Sequence, residues 1–306
     1  MARHLLLRIA VMVPTFLAIV TIAFFLMRIA PGGPFDGDRR LPPEVEANLR
    51  AAYQLDQPLV NQYVSYLGRI ARGDLGPSFK QKDFSVNELI AAGLPVSLTV
   101  GGIALAVSLI AGVALGTTAG LFRGTSRDHA VIGLSALGLA LPSFVVAPLL
   151  VWLFALTLDW LPAGGFGSPA HYVMPCMALS FPFIAAIARL TRGSVVDTLA
   201  MAHVRTARSK GLPGSRIVLR HVLPNALLPV VSFVGPAGAA LLAGSVVIEE
   251  LFALPGIGRY FVQAALNRDY TLVMGAVIVY AALILLLNLL VDLCYPWLDP
   301  RLRVRE

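Results

Sequence analysis

Few residues of this chain could do chemistry, and their spacing excludes most reactions. The three lysines, Lys80, Lys82 and Lys210, are followed by Gln, Asp and Gly. None completes the glycine-rich, Lys-Ser/Thr loop that cradles nucleotide phosphates. The histidines, His4, His129, His171, His203 and His221, fall at the ends of apolar blocks or between them. No cysteine or carboxylate joins them at ligand spacing, so they read as solvated interfacial groups, with no metal site and no cofactor. Cys176 and Cys294 make neither a metal pair nor a redox pair. No nucleophile–base arrangement can be proposed. The chain is therefore expected not to be an enzyme, and its energy must come from another chain or an ion gradient.

Cations are the chemistry that remains. From Arg189 to Pro224 the chain carries Arg189, Arg192, Arg205, Arg208, Lys210, Arg216 and Arg220 against one acid, Asp197. Preference for the inner side of a membrane, or attraction to anionic lipid, explains such charge. It does not explain the order within the stretch. A helix-forming run from Met201 to Lys210 stops at Gly211, as glycine does just past a helix end. Leu212-Pro213-Gly214 makes a corner, and Ser215 to Leu223 forms a second helix into Pro224. Two short helices meeting at a corner make a stiff projection suited to docking on a partner. Ala207 and Gly211, small and four apart, are expected to share a face that permits close approach. Arg192 lies outside the corner, and its replacement is expected to be mild.

The elements that position this loop follow from composition. The chain has 306 residues, 57% hydrophobic and 13% charged, with net charge +7. Its apolar residues come in long blocks at 9–27, 95–121, 130–157, 172–188, 223–248 and 272–291, each long enough to cross a bilayer. Buried strands of a soluble protein would give runs of only about 4–8 residues. The fold expected is an all-α membrane protein with six transmembrane helices. Prolines within the blocks are tolerated when neighbours satisfy the freed carbonyls. Gly112, Gly116 and Gly120 form a ridge for close helix packing.

The basic charge follows membrane side, which argues against nucleic acid as a partner. If the N-terminus is inside, the inner pieces 1–8, 122–129, 189–222 and 292–306 hold 14 Lys and Arg, while the short outer loops 158–171 and 249–271 hold only Arg259 and Arg268. This predicts N-in, C-in. Cys176 and Cys294 then lie near opposite ends of their spans, too far apart for a disulfide. Residues 30–94 form a small helical extracytoplasmic subdomain between the first and second spans. It has one helix from Glu44 to Tyr53 and another opened by Pro58, with Leu59, Tyr63, Tyr66, Leu67 and Ile70 on one face. The domains are then 1–29, 30–94 and a five-helix core at 95–306, with the cytoplasmic loop at 191–225. At the outer end of the fifth span, Glu249 and Glu250 precede a bend at Pro255-Gly256.

These residues resemble a family. Thr206-Ala207-x3-Gly211 followed by Leu223-Pro224 is similar to the cytoplasmic EAA loop of binding-protein-dependent ABC importer permeases. Arg205 stands in place of the family's usual glutamate, Thr206 in place of its first alanine, and His221 where isoleucine is common. The string from Arg205 to Pro213 resembles the peptide and nickel branch. So do Ala30-Pro-Gly-Gly-Pro34, Gly73-Asp-Leu-Gly76, Glu249-x4-Leu254-Pro-Gly-Ile-Gly258, Asn267-Arg-Asp-Tyr270 and Asp292-x6-Asp299-Pro-Arg301. Leu41-Pro-Pro-Glu-Val45 and Gly76-Pro-Ser-Phe-Lys80 bring it nearest to the B-type oligopeptide permeases.

The resemblance implies a bacterial inner-membrane subunit that forms half of a peptide passage. Its expected partners are a second homologous permease, two cytoplasmic ATPases, an extracytoplasmic peptide-binding protein and membrane lipid. It assigns ATPase coupling to Arg205, Thr206, Ala207, Arg208, Lys210, Gly211, Leu212 and Pro224, and suggests an outer gate at Glu249, Pro255, Gly256 and Gly258. Dipeptides, nickel or glycopeptides remain alternative cargoes. An ion-coupled carrier is disfavoured because the middles of all six blocks lack charge. A non-transporting scaffold would need neither the ordered corner nor the outer subdomain.

Overall fold

A computed structural model describes residues 2–29, 56–81 and 83–298, with side chains from residue 7 to 293 within those ranges. The expected helix from Glu44 to Tyr53 lies outside the described residues, as do Ala30–Pro34, Leu41–Val45 and Asp299–Arg301. Among the described residues there are helices and one isolated bridge, Pro77 to Ser85, but no strand. The helices are α1 Ala2–Ile29, α2 Leu59–Ala71, α3 Val86–Leu121, α4 Ser126–Ala140 and α5 Ser143–Leu150, which continues as a wider π-turn through Thr157. There follow α6 Ala170–Leu199, α7 Ala202–Ser209, α8 Gly214–Ile217, α9 Leu223–Ala226, α10 Leu228–Leu251, α11 Ile257–Leu266 and α12 Tyr270–Leu298.

Five helices are long and apolar enough to cross a membrane, over Leu7–Ile29, Val86–Leu121, Ala170–Leu199, Leu228–Leu251 and Tyr270–Leu293. The apolar block at 130–157 departs from the expected single rod. It breaks between α4 and α5 and turns through 103°. The cause is local: Leu141 precedes Pro142, is extended at ψ 113°, and cannot carry the helix forward. A second departure is the start of α3. The apolar block begins at Pro95, but the helix that carries it runs unbroken from Val86. Likewise α6 extends to Leu199, so 191–199 are helix rather than loop.

The chain divides into two units, residues 1–96 with 255–282 and residues 97–254 with 283–306. In the first unit, α1 and α2 pack on the start of α12 through Val20, Phe24, Tyr66, Met274 and Ile278, with Tyr63, Leu67 and Ile70 partly buried against them. Thr21 and Tyr63 share a 2.6 Å hydroxyl–hydroxyl bond. Leu59 does not join this face; it is 50% exposed, and Gln62 is buried instead. In the same unit Val86, Leu89 and Ile90 pack against Ile257, Ala264, Leu272, Val273 and Ala276.

In the second unit the glycine ridge of α3 meets α6 as expected. A Cβ at Gly112 would lie 2.7 Å from Ile187, at Gly116 2.4 Å from the Ala188 carbonyl, and at Gly120 2.7 Å from Val195. Only hydrogen at these positions lets the two helices come this close. Asp128 at the start of α4 takes both Nε (2.5 Å) and Nη2 (2.8 Å) of Arg192 on α6, and also accepts the Gly124 amide at 2.9 Å.

Candidate functional site

The basic corner is built entirely within the second unit. α7 ends in a two-bond reversal: the Gly211 amide donates to the Arg208 carbonyl (2.9 Å) and the Leu212 amide to the Ala207 carbonyl (3.3 Å). Gly211 has φ +74°, the left-handed conformation this cap requires. Open space surrounds its missing Cβ, so backbone conformation rather than crowding selects glycine here. Leu212 folds back onto an apolar cluster of Val195, Val204, Ala207, Ile217, Val222 and Ala226. Pro213 is extended and starts α8. The two arms are also joined by polar contact, since His203 Nε2 lies 3.0 Å from the His221 carbonyl.

The second arm differs from a plain helix. Residues 218–222 widen into a π-turn before Pro224, which sits inside the short α9. Pro224 has no amide to donate and its ring crowds the preceding turn, so the helix opens to accommodate it. The fifth span then begins at Leu228, after a break at Leu227, rather than at 223.

The corner presents Arg205, Thr206, Arg208, Lys210, Gly211 and Pro224 at its surface, with Leu212 half-buried. Ala207 is the exception. It is only 4% exposed and packs within the corner's own apolar cluster. Residues 201–225 contain Arg205, Arg208, Lys210, Arg216 and Arg220 and no acid, which makes the exposed face uniformly basic. Beside it, Leu121, Phe122, Leu199, Val218 and Leu219 line an open groove with Arg208 at its edge.

The outer-gate residues are divided between the units. Glu249, in the last turns of α10, is fully buried. Its carbonyl accepts the Leu254 amide at 2.9 Å, closing α10 through Ala253 at φ +55°. In the first unit, Gly256 is the extended residue that starts α11, and both it and Gly258 are buried. A Cβ at Gly93 of α3 would come within 2.9 Å of the Ile257 amide nitrogen and 3.0 Å of the Gly256 carbonyl carbon. The approach of this turn therefore depends on Gly93, which sequence reasoning passed over.

Asp269 was also missed as a working residue, although it lies in a motif quoted above. It is 1% exposed and caps α12 by accepting the Leu272 amide at 3.2 Å. The same carboxylate accepts the Ser78 hydroxyl, the Phe79 amide (3.1 Å) and the Lys80 amide (3.3 Å). Thr271 adds a hydroxyl bond of 2.7 Å to the Pro77 carbonyl. Residues 77–80 and 269–272 are thus one polar clamp. The spacing Asp-x2-Leu at a helix start hinted at the cap, but nothing local pointed to the segment 190 residues away. Arg192, outside the corner, is paired with Asp128, a partner that the sequence does not announce.

Among the described residues no three of His, Cys, Asp and Glu are grouped as metal ligands. Cys176 is buried and unbonded to another cysteine. The side chain of Cys294 lies outside the described residues.

Comparison with known proteins agrees over the whole length. Residues 112–304 match the family described as binding-protein-dependent transport system inner membrane component. The chain is 50% identical over 305 residues to the oligopeptide transport system permease protein OppB of Escherichia coli K12, covering 99% of this chain and 100% of that one. It is 46% identical to OppB of Haemophilus influenzae with the same coverage, and 42% identical to the dipeptide transport system permease protein DppB of Bacillus subtilis, covering 100% and 99%. A crystal structure of an amino acid ABC transporter with histidines aligns at TM-score 0.54 and 16% identity, covering 68% of this chain and 93% of that one. That likeness concerns the fold alone.

Proposed function

The chain belongs to the family of binding-protein-dependent transport system inner membrane components, and from that premise we propose that it carries oligopeptides as a permease subunit of an ABC importer. It is a multi-pass protein of the bacterial inner membrane. Full-length similarity to OppB chains supports oligopeptides over dipeptides, since the similarity to DppB is lower. The subunit forms half of the passage with a second permease, receives cargo from an extracytoplasmic binding protein, and takes energy from two cytoplasmic ATPases. Its termini face the cytoplasm, in line with the charge distribution.

The observation that carries the coupling role is the capped corner at Gly211. A loop that transmits movement must not dissipate it, and this one is stiffened by a glycine cap and an apolar core. Its exposed face of Arg205, Arg208 and Lys210 suits an acidic rim on the ATPase, setting orientation more than affinity. Thr206, Gly211, Leu212 and Pro224 complete the contact, and Ala207 supports it from within. Glu249, Pro255, Gly256 and Gly258 act on the outer side, where the buried turn after Pro255 helps gate cargo. Gly258→Val that left both assembly and transport intact would argue against that role.

Reconstitution tests the proposal. Liposomes holding this chain, its partner permease, both ATPases and the binding protein are expected to take up labelled oligopeptide only with ATP. ATP-independent uptake by this chain alone would refute it. Cysteines placed at Asp56 or Lys80 are expected to react with an impermeant reagent from outside; labelling only from the cytoplasm would invert the topology.

A further inference from the structure

Within the first unit, a narrow polar pocket gathers residues that the transport reading does not use. α1 contributes Arg28 in its last turn, α2 contributes Ser65, Tyr66 and Arg69, and α12 contributes Tyr270. Two guanidinium groups thus share one pocket, and no carboxylate lines it among the described residues. Like charges brought together out of bulk water repel, and an anion between them removes that cost. Gly76, at φ +88°, leaves the room Arg69 occupies, since a Cβ there would meet its Nη1 at 3.2 Å. Arg28 is held from the other side, 5.3 Å from the centre of the Phe24 ring. Burial raises the Tyr66 phenol above its ordinary range against the opposing pull of Arg69 and Arg28, so it remains a hydroxyl donor at neutral pH.

Two guanidinium forks converge here beside the Gln62 amide and the hydroxyls of Ser65, Tyr66, Tyr270 and Thr271, a donor-rich arrangement that suits an oxyanion. The location identifies the source. Arg28 ends the apolar run Leu7–Ile29, which places it where a membrane-crossing helix reaches the headgroup layer. Phe25, 36% exposed and in ring contact with Tyr63 of α2, offers apolar surface on the pocket's side of α1 for an acyl chain.

We propose that the Arg28–Arg69 pocket binds the phosphate of one phospholipid headgroup, with preference for anionic lipid. The bound lipid fastens α2 to the end of α1 and closes the pocket's charge.

The test is native mass spectrometry of the chain, with the subunits that co-purify with it, extracted from vesicles of phosphatidylglycerol and phosphatidylcholine. The parent protein is expected to retain one phosphatidylglycerol. Retention is expected to fall about fivefold in R69Q and about thirtyfold in R28Q/R69Q, following the usual contribution of one basic residue at an anionic surface. R72Q, on the exposed end of the same helix and outside the pocket, is the control and is expected to retain lipid. Should the double variant fail to assemble, R69Q and the thermal stability of the parent protein in the two lipids still decide. Equal retention in R69Q and parent, or equal stability in phosphatidylglycerol and phosphatidylcholine, overturns the proposal. Displacement of the bound species by a free peptide would overturn it in favour of a cargo carboxylate.

Discussion

The corner at 202–226 and the clamp at Asp269 both hold the chain in a reversal, by opposite means. The corner is local: its cap joins residues three and five apart, and its apolar cluster spans Val195 to Ala226. The clamp is long-range: one buried carboxylate gathers a helix start and a loop nearly 200 residues upstream. Many small contacts share the load in the first case, and one group carries it in the second. The difference predicts how each fails, with single substitutions damaging the clamp most.

Asp269→Ala is expected to have the largest effect. It leaves the Ser78 hydroxyl and the amides of Phe79 and Leu272 without their acceptor in a buried site. Each orphaned donor costs about 1–3 kcal/mol, so a loss on the order of 3 kcal/mol or more follows. Thermal unfolding of the purified chain would show it, and Asp269→Asn, which keeps an acceptor oxygen, is expected to recover part. A midpoint unchanged in Asp269→Ala would mean that the long-range clamp carries no load, and the contrast with the corner would disappear.

Gly93→Val comes next, because it tests a long-range contact made by backbone instead of charge. The new Cβ meets the Ile257 nitrogen and the Gly256 carbonyl carbon, neither of which can move like a side-chain end. Overpacking of this kind costs about 1–3 kcal/mol. Reduced melting together with freer protease cleavage around 255–258 is the expected signature. Gly102→Val, where a Cβ meets nothing within 4 Å, is the matched control in the same helix.

Arg192→Ala lies between the two kinds of region. From sequence it is a spare basic residue near the corner, and its loss is expected to be mild. The bidentate pair with Asp128 reverses that expectation, since removal leaves a carboxylate that is 2% exposed with only the Gly124 amide. The prediction is a lower melting temperature for Arg192→Ala, partly restored by adding Asp128→Asn. Additive losses in the double variant would show that the pair is not coupled.

What could be read from sequence follows the same division between local and distant. Block length predicts six spans, and five of them are unbroken helices, because bilayer thickness sets that length directly. The glycine stop at 211 was legible because a helix end and its cap lie within a few residues. The break at Leu141-Pro142 was equally local but ambiguous: other prolines within the expected blocks, among them Pro14, Pro95, Pro175, Pro182 and Pro236, sit inside continuing helices. Whether a proline ends a helix depends on packing that sequence does not display. The burial of Ala207 is illegible for a related reason: spacing groups residues on a face without saying which face is covered. Asp269, Asp128 and Gly93 depend on partners dozens to nearly 200 residues away, and no periodicity reports such pairs.

The smallest expected effect on stability, and the sharpest on function, is at Gly211. Its φ of +74° is the only demand the chain itself makes there, because no neighbouring atom would touch a Cβ. Valine at this conformation costs about 1–2 kcal/mol, whereas asparagine visits the left-handed region readily and is expected to be nearly neutral. Both add a side chain to the exposed corner. The two variants therefore separate stiffness from fit. If the corner works only by being rigid, Gly211→Asn melts and transports like the parent protein, and Gly211→Val loses both stability and uptake. If the ATPase must approach a bare backbone, both variants insert in the membrane, only valine melts earlier, and both lose ATPase binding and peptide uptake. The second outcome is expected, because Gly211 is exposed at the surface together with Arg205, Thr206, Arg208 and Lys210, and open space lies where its Cβ would be. Transport at the parental rate in both variants would reduce the corner to a basic linker and remove the functional side of the comparison with the clamp.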